Sequence, residues 1–237
     1  MWNVNILTLF PEIFPGPLGY SLTGKALKSK IWNLNVKNIR EYSKNLHKSV
    51  DSPPYGGGGG MILRCDVVGD AIEKFFLPSG NKIIYLSPKG ICYNQNIAVQ
   101  LSNEPGINIL CGRFEGIDER IIKEYKIQEI SMGDFVLSSG DTAAILLLDS
   151  CVRLLPGVLS NKDSVTEESF GLSEMFCNLL EYPHYTRPYA WKGHKVPDVL
   201  LSGNHSKITS WRLKEAKQIT KKNRPDLWLN HLGGKNK

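Results

Sequence analysis

Three short segments place polar and conformationally special residues directly after apolar runs. Ser87-Pro-Lys-Gly90 follows Lys82-Ile-Ile-Tyr-Leu86, Cys111-Gly-Arg-Phe-Glu-Gly116 follows Ile107-Asn-Ile-Leu110, and Ser131-Met-Gly-Asp134 follows Ile127-Gln-Glu-Ile130. The middle segment continues to Arg120 and holds two glycines and five charges in ten residues. Asp118, Glu119 and Arg120 suit a solvated helix start, because acids are favoured at a helix N-terminus. Arg113 and Glu115, bracketed by glycines, are not explained that way and point to a ligand. In Ser131-Met-Gly-Asp-Phe-Val-Leu-Ser-Ser-Gly140, backbone N–H and C=O groups could read the edge of an adenine, a chemistry that leaves no side-chain signature.

The five consecutive glycines Gly56 to Gly60 follow Asp51-Ser-Pro-Pro-Tyr55. They are not a P-loop, since Met61-Ile62 replaces the required Gly-Lys-Ser/Thr ending. They are not a dinucleotide fingerprint either, since Asp51-Ser-Pro-Pro-Tyr reads as no strand. Two readings remain, a flexible linker or a loop that orders against a ligand; glycine is the costliest residue to fix, so five imply close backbone approach or purposeful mobility. The five histidines form no H-E-x-x-H and no metal spacing. His184 sits in Tyr182-Pro-His-Tyr-Thr-Arg-Pro188, a proline-fixed loop that is either simply rigid or faces RNA. No serine has a nucleophile-elbow context and no cysteine an obvious base partner.

The elements that must position these groups alternate between strand and helix. Val4 to Leu9 reads as a strand, Ser21 to Lys28 as a helix, and Trp32, Leu34 and Val36 as a half-buried strand. Helices are expected over Val67 to Phe76, Gln95 to Ser102, Asp118 to Tyr125 and Asp141 to Leu155, the last with Asp141 as N-cap and Pro156-Gly157 as its stop. This alternation predicts an α/β fold with a mostly parallel sheet. Ligands in such sheets bind beyond the carboxyl ends of the strands, where the three loops would converge. Residues 160–170 read as an interdomain linker between a first domain, 1–159, and a second, 171–237. The second shows no strand pattern, carries Trp191, Trp211 and Trp228, and is expected to be small and all-helical. Its segment Ser206 to Lys222 has Ser206 as N-cap, the stripe Ile208, Trp211, Leu213 and Ile219, and six lysines or arginines.

Composition bounds the rest. The 237 residues suffice for a full hydrophobic core, and 29 Lys+Arg against 23 Asp+Glu give a net charge of +6, which favours a polyanionic partner. The longest apolar run, Ala143 to Leu148, is far short of the ~20 residues of a membrane span. The N-terminus lacks a basic lead and a small-residue cleavage site. Five widely spaced cysteines without a C-x-x-C pair fit neither a disulfide framework nor a zinc cluster. A cytoplasmic protein without membrane contact is the expectation.

The chain resembles the bacterial tRNA (guanine-N1)-methyltransferase family of the SPOUT superfamily nearly end to end. The resemblance rests on LTLFPEIF, DSPPYGGGGGM, IYLSPKG, LCGRFEGIDER, SMGDFVLSSGD, RLLPGVL, EYPHYTRP, VLLSGNH and WRLKEA, in that order. It implies a trefoil-knotted α/β domain and a homodimer with its active site at the subunit interface, with no further protein partner. It also implies S-adenosyl-L-methionine as methyl donor and, as substrate, N1 of guanosine 37, just 3′ of the anticodon, in the anticodon branch of tRNA. The donor would lie against Tyr85, Leu86, Ser87 and Pro88, against Gly112, Arg113, Glu115 and Gly116, and against Met132, Gly133, Asp134, Phe135, Val136, Leu137 and Gly140. Asp51, Gly60, His184 and Arg187 would face the tRNA. Arg153 matches the family's arginine, which would stabilise charge on guanine O6. The family's general base is an aspartate before Ser-Phe; here Glu168 takes that position, with Glu167 as the alternative. Other departures are Gly59 and Ala143 in place of prolines, Ser139 in place of glycine, and a short insertion around Leu172 to Cys177. No metal ligand set is indicated, although an RNA-bound Mg²⁺ could assist. A catalytically silent RNA-binding relative, or an enzyme of the same superfamily acting on ribosomal RNA, are the rival readings.

Overall fold

A computed structural model of the chain describes residues 1–159, 168–170, 173 and 175–233. Its contacts divide into two compact units, Met1–Ser160 and Asn161–Lys237.

In the first unit, β1 (Trp2–Thr8), α1 (Ser21–Lys28), β2 (Trp32–Asn38), β3 (Asp51–Ser52), β4 (Ile62–Leu63), α2 (Cys65–Ala71), β5 (Lys82–Cys92), α3 (Gln95–Ser102), β6 (Gly106–Leu110), α4 (Glu119–Glu124), β7 (Gln128–Ser131) and α5 (Gly140–Val152) follow one another. Five of the strands form one sheet in the order β2-β1-β6-β5-β7, with every neighbouring pair parallel. Both faces are covered, as a parallel sheet requires. On one face Val4, Ile6, Ile84, Ile107 and Ile109 pack against Ala26 of α1, Leu101 of α3 and Leu147 and Leu148 of α5. On the other, Leu7, Ile83 and Leu110 pack against Val68 and Phe76 and against Ile121 of α4. The second face also carries a ladder of amides, buried at Asn5 and Asn108. Asn35 donates to Asn5 at 3.0 Å, Asn5 to Asn108 at 2.9 Å, and Asn108 to the Phe76 and Asn81 carbonyls at 3.3 and 3.0 Å. These asparagines are opposite one another in the β2-β1-β6 register. A one-residue slip would leave buried amides unpaired, so the ladder pins that register.

Several local expectations are corrected. Asp141 is not the N-cap of α5; that position is Ser139, and the Asp141 side chain lies buried inside the first turn. Ser87 to Gly90 do not end β5; they bulge out of it, because Leu86 and Ile91 both pair with Ile130 and the strand resumes to Cys92. Asp51-Ser52 is a short strand, antiparallel to Ile62-Leu63, so the glycine run is the turn of a hairpin. The second helix extends from Ala71 through a π-helical turn, Ile72–Phe76.

In the second unit, α6 (His205–Asn223) and α7 (Pro225–Gly233) dominate. It is helical but not all-helical: β8 (Ala190–Trp191) and β9 (His194–Lys195) form a small antiparallel ribbon. Asn204, not Ser206, caps α6, its side chain accepting from the Lys207 N–H at 3.1 Å. The buried line of α6 is Ala216 and Thr220, and the expected stripe flanks it at intermediate depth. Phe176, Leu179 and Tyr182 pack on Ala216, and Trp211, Leu213 and Trp228 close that core.

Candidate functional site

The bulge of β5, the loops after β6 and β7 and the first turn of α5 enclose a cleft of about 240 Å³. Its lining includes every residue expected at the donor site except Asp134, which is exposed beside it. Phe114, Ile130, Ser131 and Ser138 also line it, as do Ser139 and Ala143, two of the positions that depart from the family pattern. Ile130 was not expected there because it belongs to a strand, and Ser131, read as the first loop residue, is the last residue of β7. Phe114 escaped because its property is conformational: its φ of 57° is the left-handed region, which costs a non-glycine residue roughly 1–3 kcal/mol and tends to mark functional loops.

Close backbone approach builds the walls. Gly140 N–H donates to the Gly112 carbonyl at 2.9 Å, and a Cβ on Gly140 would stand 2.8 Å from the Gly112 nitrogen. Behind the 112–116 loop, the Tyr85 ring fills the space a Cβ on Gly112 would need, 2.8 Å away. Burial, and secondarily Glu129, push the Tyr85 hydroxyl up to about 12, so it keeps its proton at any physiological pH.

The two charged side chains of the lining are Arg113 and Glu115. The Arg113 guanidinium stacks 4.2 Å above the Phe10 ring, and its Nε faces the Asp141 carboxylate at 3.4 Å. Glu115 lies against the glycine hairpin: a Cβ on Gly60 would fall 2.5 Å from its Cγ, and Gly60 has a φ of +81°. The hairpin is tied to the cleft loop through its backbone. Glu115 N–H donates to the Met61 carbonyl at 2.9 Å, and Leu63 N–H to the Gly116 carbonyl at 3.0 Å. The glycine run is thus attached to the cleft at its Met61 end, while Gly56, Gly57 and Gly59 face open space. Asp51, paired opposite Leu63, sits on the same hairpin.

The other expected site residues are not part of this lining. Arg153 is half-buried at the C-cap of α5, whose 13 residues span roughly 20 Å from the cleft end. Glu168 belongs to the second unit, beside a turn in which Phe170 N–H donates to the Leu179 carbonyl at 3.1 Å and Glu181 N–H to the Ser169 hydroxyl at 3.0 Å. Glu167 lies outside the described residues, as does most of the linker. His184 pairs with Glu181 at 2.9 Å and, with Arg187, lines a groove that also holds Tyr185, Tyr189, Trp191 and Lys195. Among the described residues no helix is long and apolar enough to cross a membrane, and no group of three or more His, Cys, Asp or Glu is placed to hold a metal ion.

A five-stranded parallel sheet with helices on both faces and a cleft at its carboxyl edge defines an α/β protein. The family described as tRNA (Guanine-1)-methyltransferase TrmD matches residues 2–230, and the chain belongs to that family, one of SPOUT proteins. It is 57% identical over 235 residues to a protein of Wolbachia pipientis wMel named tRNA (guanine-N(1)-)-methyltransferase, covering 99% of this chain and 98% of the relative. Proteins of the same name from Ehrlichia canis (strain Jake) and Pelagibacter ubique (strain HTCC1062) are 54% and 50% identical, over 95% and 96% of this chain and 94% and 97% of their own lengths.

Proposed function

We propose that the protein is an enzyme that transfers a methyl group from S-adenosylmethionine to N1 of guanosine 37 in tRNA, acting in the cytoplasm as a homodimer. The observation that carries this reading is the convergence of the β5 bulge, the loops after β6 and β7 and the start of α5 on one cleft. The residues present fit the donor. Leu86, Ile130 and Ala143 offer apolar surface to a purine, glycines at 112 and 140 let backbone approach, and Arg113 and Glu115 offer opposite charges to a zwitterionic tail. When bound, S-adenosylmethionine supplies an electrophilic methyl group on a sulfonium.

The chain's own residues must prepare the guanine. N1 carries a proton at neutral pH and is no nucleophile until a base removes it. Glu168 is that base in this reading. Negative charge then develops on O6, where Arg153 supplies a fixed cation. Arg153 stands at the far end of α5 from its own chain's cleft, so it serves the cleft of the partner subunit. That assignment explains why one fold would need two copies. Exposed Phe114, Phe135, Val136 and Leu137 around the cleft, with Val136 at 87% exposure, give apolar surface for such an association. The glycine hairpin, with Asp51 and Gly60, and the groove of His184 and Arg187 hold the RNA, with the six Lys or Arg of α6 giving binding that falls with salt.

The segment 132–140 carries the chain from the edge strand β7 back to β6, where Gly140 meets Gly112. We infer that this return is the family's trefoil knot, a topology otherwise close to absent from proteins.

The test is methyl transfer to tRNA transcripts that differ only at position 37, followed by nucleoside analysis. Product is expected as 1-methylguanosine from the guanosine-37 transcript alone. Product at another nucleotide, or on ribosomal RNA instead, overturns the substrate assignment; donor binding without any product favours a silent RNA-binding relative. Glu168→Gln is expected to slow single-turnover transfer by about 10²- to 10⁴-fold with donor affinity unchanged. If Glu167→Gln alone does so, the base is Glu167.

A further inference from the structure

Asp141 is a buried charge with no capping role. Its side chain is 1% exposed, it stands one residue inside a helix capped by Ser139, and its Oδ1 accepts from the Thr8 hydroxyl at 2.5 Å. Thr8 Oγ1 in turn accepts from the Phe10 N–H at 3.0 Å, and the Phe10 ring carries the Arg113 guanidinium. Arg113 Nε returns to Asp141 Oδ2 at 3.4 Å, which closes a circuit through the end of β1, the loop after β6 and the first turn of α5. Among the described residues, Arg113 Nε and Asp141 Oδ2 are both buried without a well-formed hydrogen bond; they face each other, and the Cys111 thiol also lies against the Asp141 carboxylate. A carboxylate taken out of water is costly unless a countercharge or a helix N-terminus offsets it. An apolar residue would start this helix at less cost, so the carboxylate is explained by what it does to Arg113.

Arg113 is held on two sides, by Asp141 at its Nε edge and by Phe10 on its face. Among the described residues the Nη edge makes only a long contact, 3.5 Å from Nη1 to the Ser138 carbonyl. A guanidinium fixed in this manner presents two parallel donors, the geometry that suits a carboxylate. We propose that Asp141, supported by Thr8, is a positioning residue that holds Arg113 to receive the carboxylate of the donor's methionyl tail. This rests on the donor assignment of the preceding section and specifies which charged group recognises the tail.

Calorimetric titration with S-adenosylhomocysteine and with its decarboxylated analogue, which keeps the amine, separates this role from a structural one. Asp141→Asn and Arg113→Gln are each expected to weaken S-adenosylhomocysteine about tenfold, the scale of a lost charge-assisted hydrogen bond. The analogue should bind each variant within about twofold of wild type. Thr8→Val, which leaves both charges in place, should show a smaller loss with the same selectivity. Equal weakening of both ligands in Asp141→Asn means that the cleft itself has been distorted, and no weakening means that Arg113 is held without Asp141; either result overturns the positioning role alone. Wild-type protein that binds neither ligand sinks the donor assignment and this inference with it.

Discussion

The first and last turns of α5 differ in how they are held and in what they present. At the first turn, Gly140 is bonded to Gly112, Asp141 accepts from Thr8 and faces Arg113, and Ala143 faces the cleft. At the last turn, the Tyr93 hydroxyl stands 2.6 Å from Ser150 and 3.5 Å from Cys151, Leu155 turns into the core, and Arg153 is left half-buried at the C-cap. One end is a wall built from backbone, where a single methyl group is too much. The other is a packed anchor that holds Arg153 half-buried at the helix end. A rigid helix about 20 Å long keeps the two apart, which is why the proposed reaction takes them from different subunits.

The largest effect is expected where backbone meets backbone. Gly140→Val would drive a branched side chain into Gly112, whose nitrogen already lies 2.8 Å from the position of a Cβ. Donor affinity should fall by more than about 100-fold, with a stability loss of roughly 1–3 kcal/mol from overpacking; calorimetry and urea melts measure the two separately. Near-normal affinity would show that the wall can yield.

Arg153→Ala should leave donor affinity within about twofold and lower the transfer rate by about 10²- to 10³-fold, the range for one stabilising donor. Mixed dimers sharpen the comparison. A Gly140→Val subunit keeps Arg153, and an Arg153→Ala subunit keeps its cleft. Co-assembled, they should recover one working site per dimer if the two ends of α5 serve different clefts. No recovery in verified mixed dimers would place Arg153 in its own subunit's site.

The contrast between the ends also explains what was legible in the sequence. Loops after parallel strands are marked by periodicity and by glycine, so Ser87 to Pro88, Gly112 to Gly116 and Met132 to Gly140 could be assigned to one place before any coordinates. Asp141 was misplaced as a cap because an acid before an apolar helix has the same local pattern whether it caps or pairs; only the Thr8 and Arg113 contacts, from segments 133 and 28 residues away in the chain, decide between them. The glycine run stayed open between two readings because its pairing partner, Glu115 to Ile117, is likewise distant in sequence. Arg153 and Glu168 carry no local signal at all, and were reached through the family resemblance.

A smaller effect is expected at the hairpin. Gly60→Ala combines a strained φ of +81° with a Cβ 2.5 Å from Glu115 Cγ. Glu115 must turn or the hairpin must lift, and the RNA apparent KM should rise several-fold, while Gly57→Ala, with nothing within 4 Å, should bring only the strain of its own φ.

The smallest effect lies in two thiols, one near each end of the helix. Cys111 and Cys151 are buried, and burial raises both, Cys111 further through the Asp141 carboxylate and Cys151 to about 11. Neither should react with iodoacetamide at pH 8, whereas the exposed Cys92 and Cys177 should. The raised values also carry a sign. A thiol held neutral in the fold contributes stability that is fully present below its ordinary value of 9.0 and is lost as pH rises towards 11. Urea melts between pH 8.5 and 10.5 should therefore show a shallower alkaline decline in Cys151→Ala than in wild type, even though the variant starts lower from the lost packing. If the two declines are parallel, the Cys151 thiol is not kept neutral by the fold, and the packed anchor at the last turn is more open to water than the first.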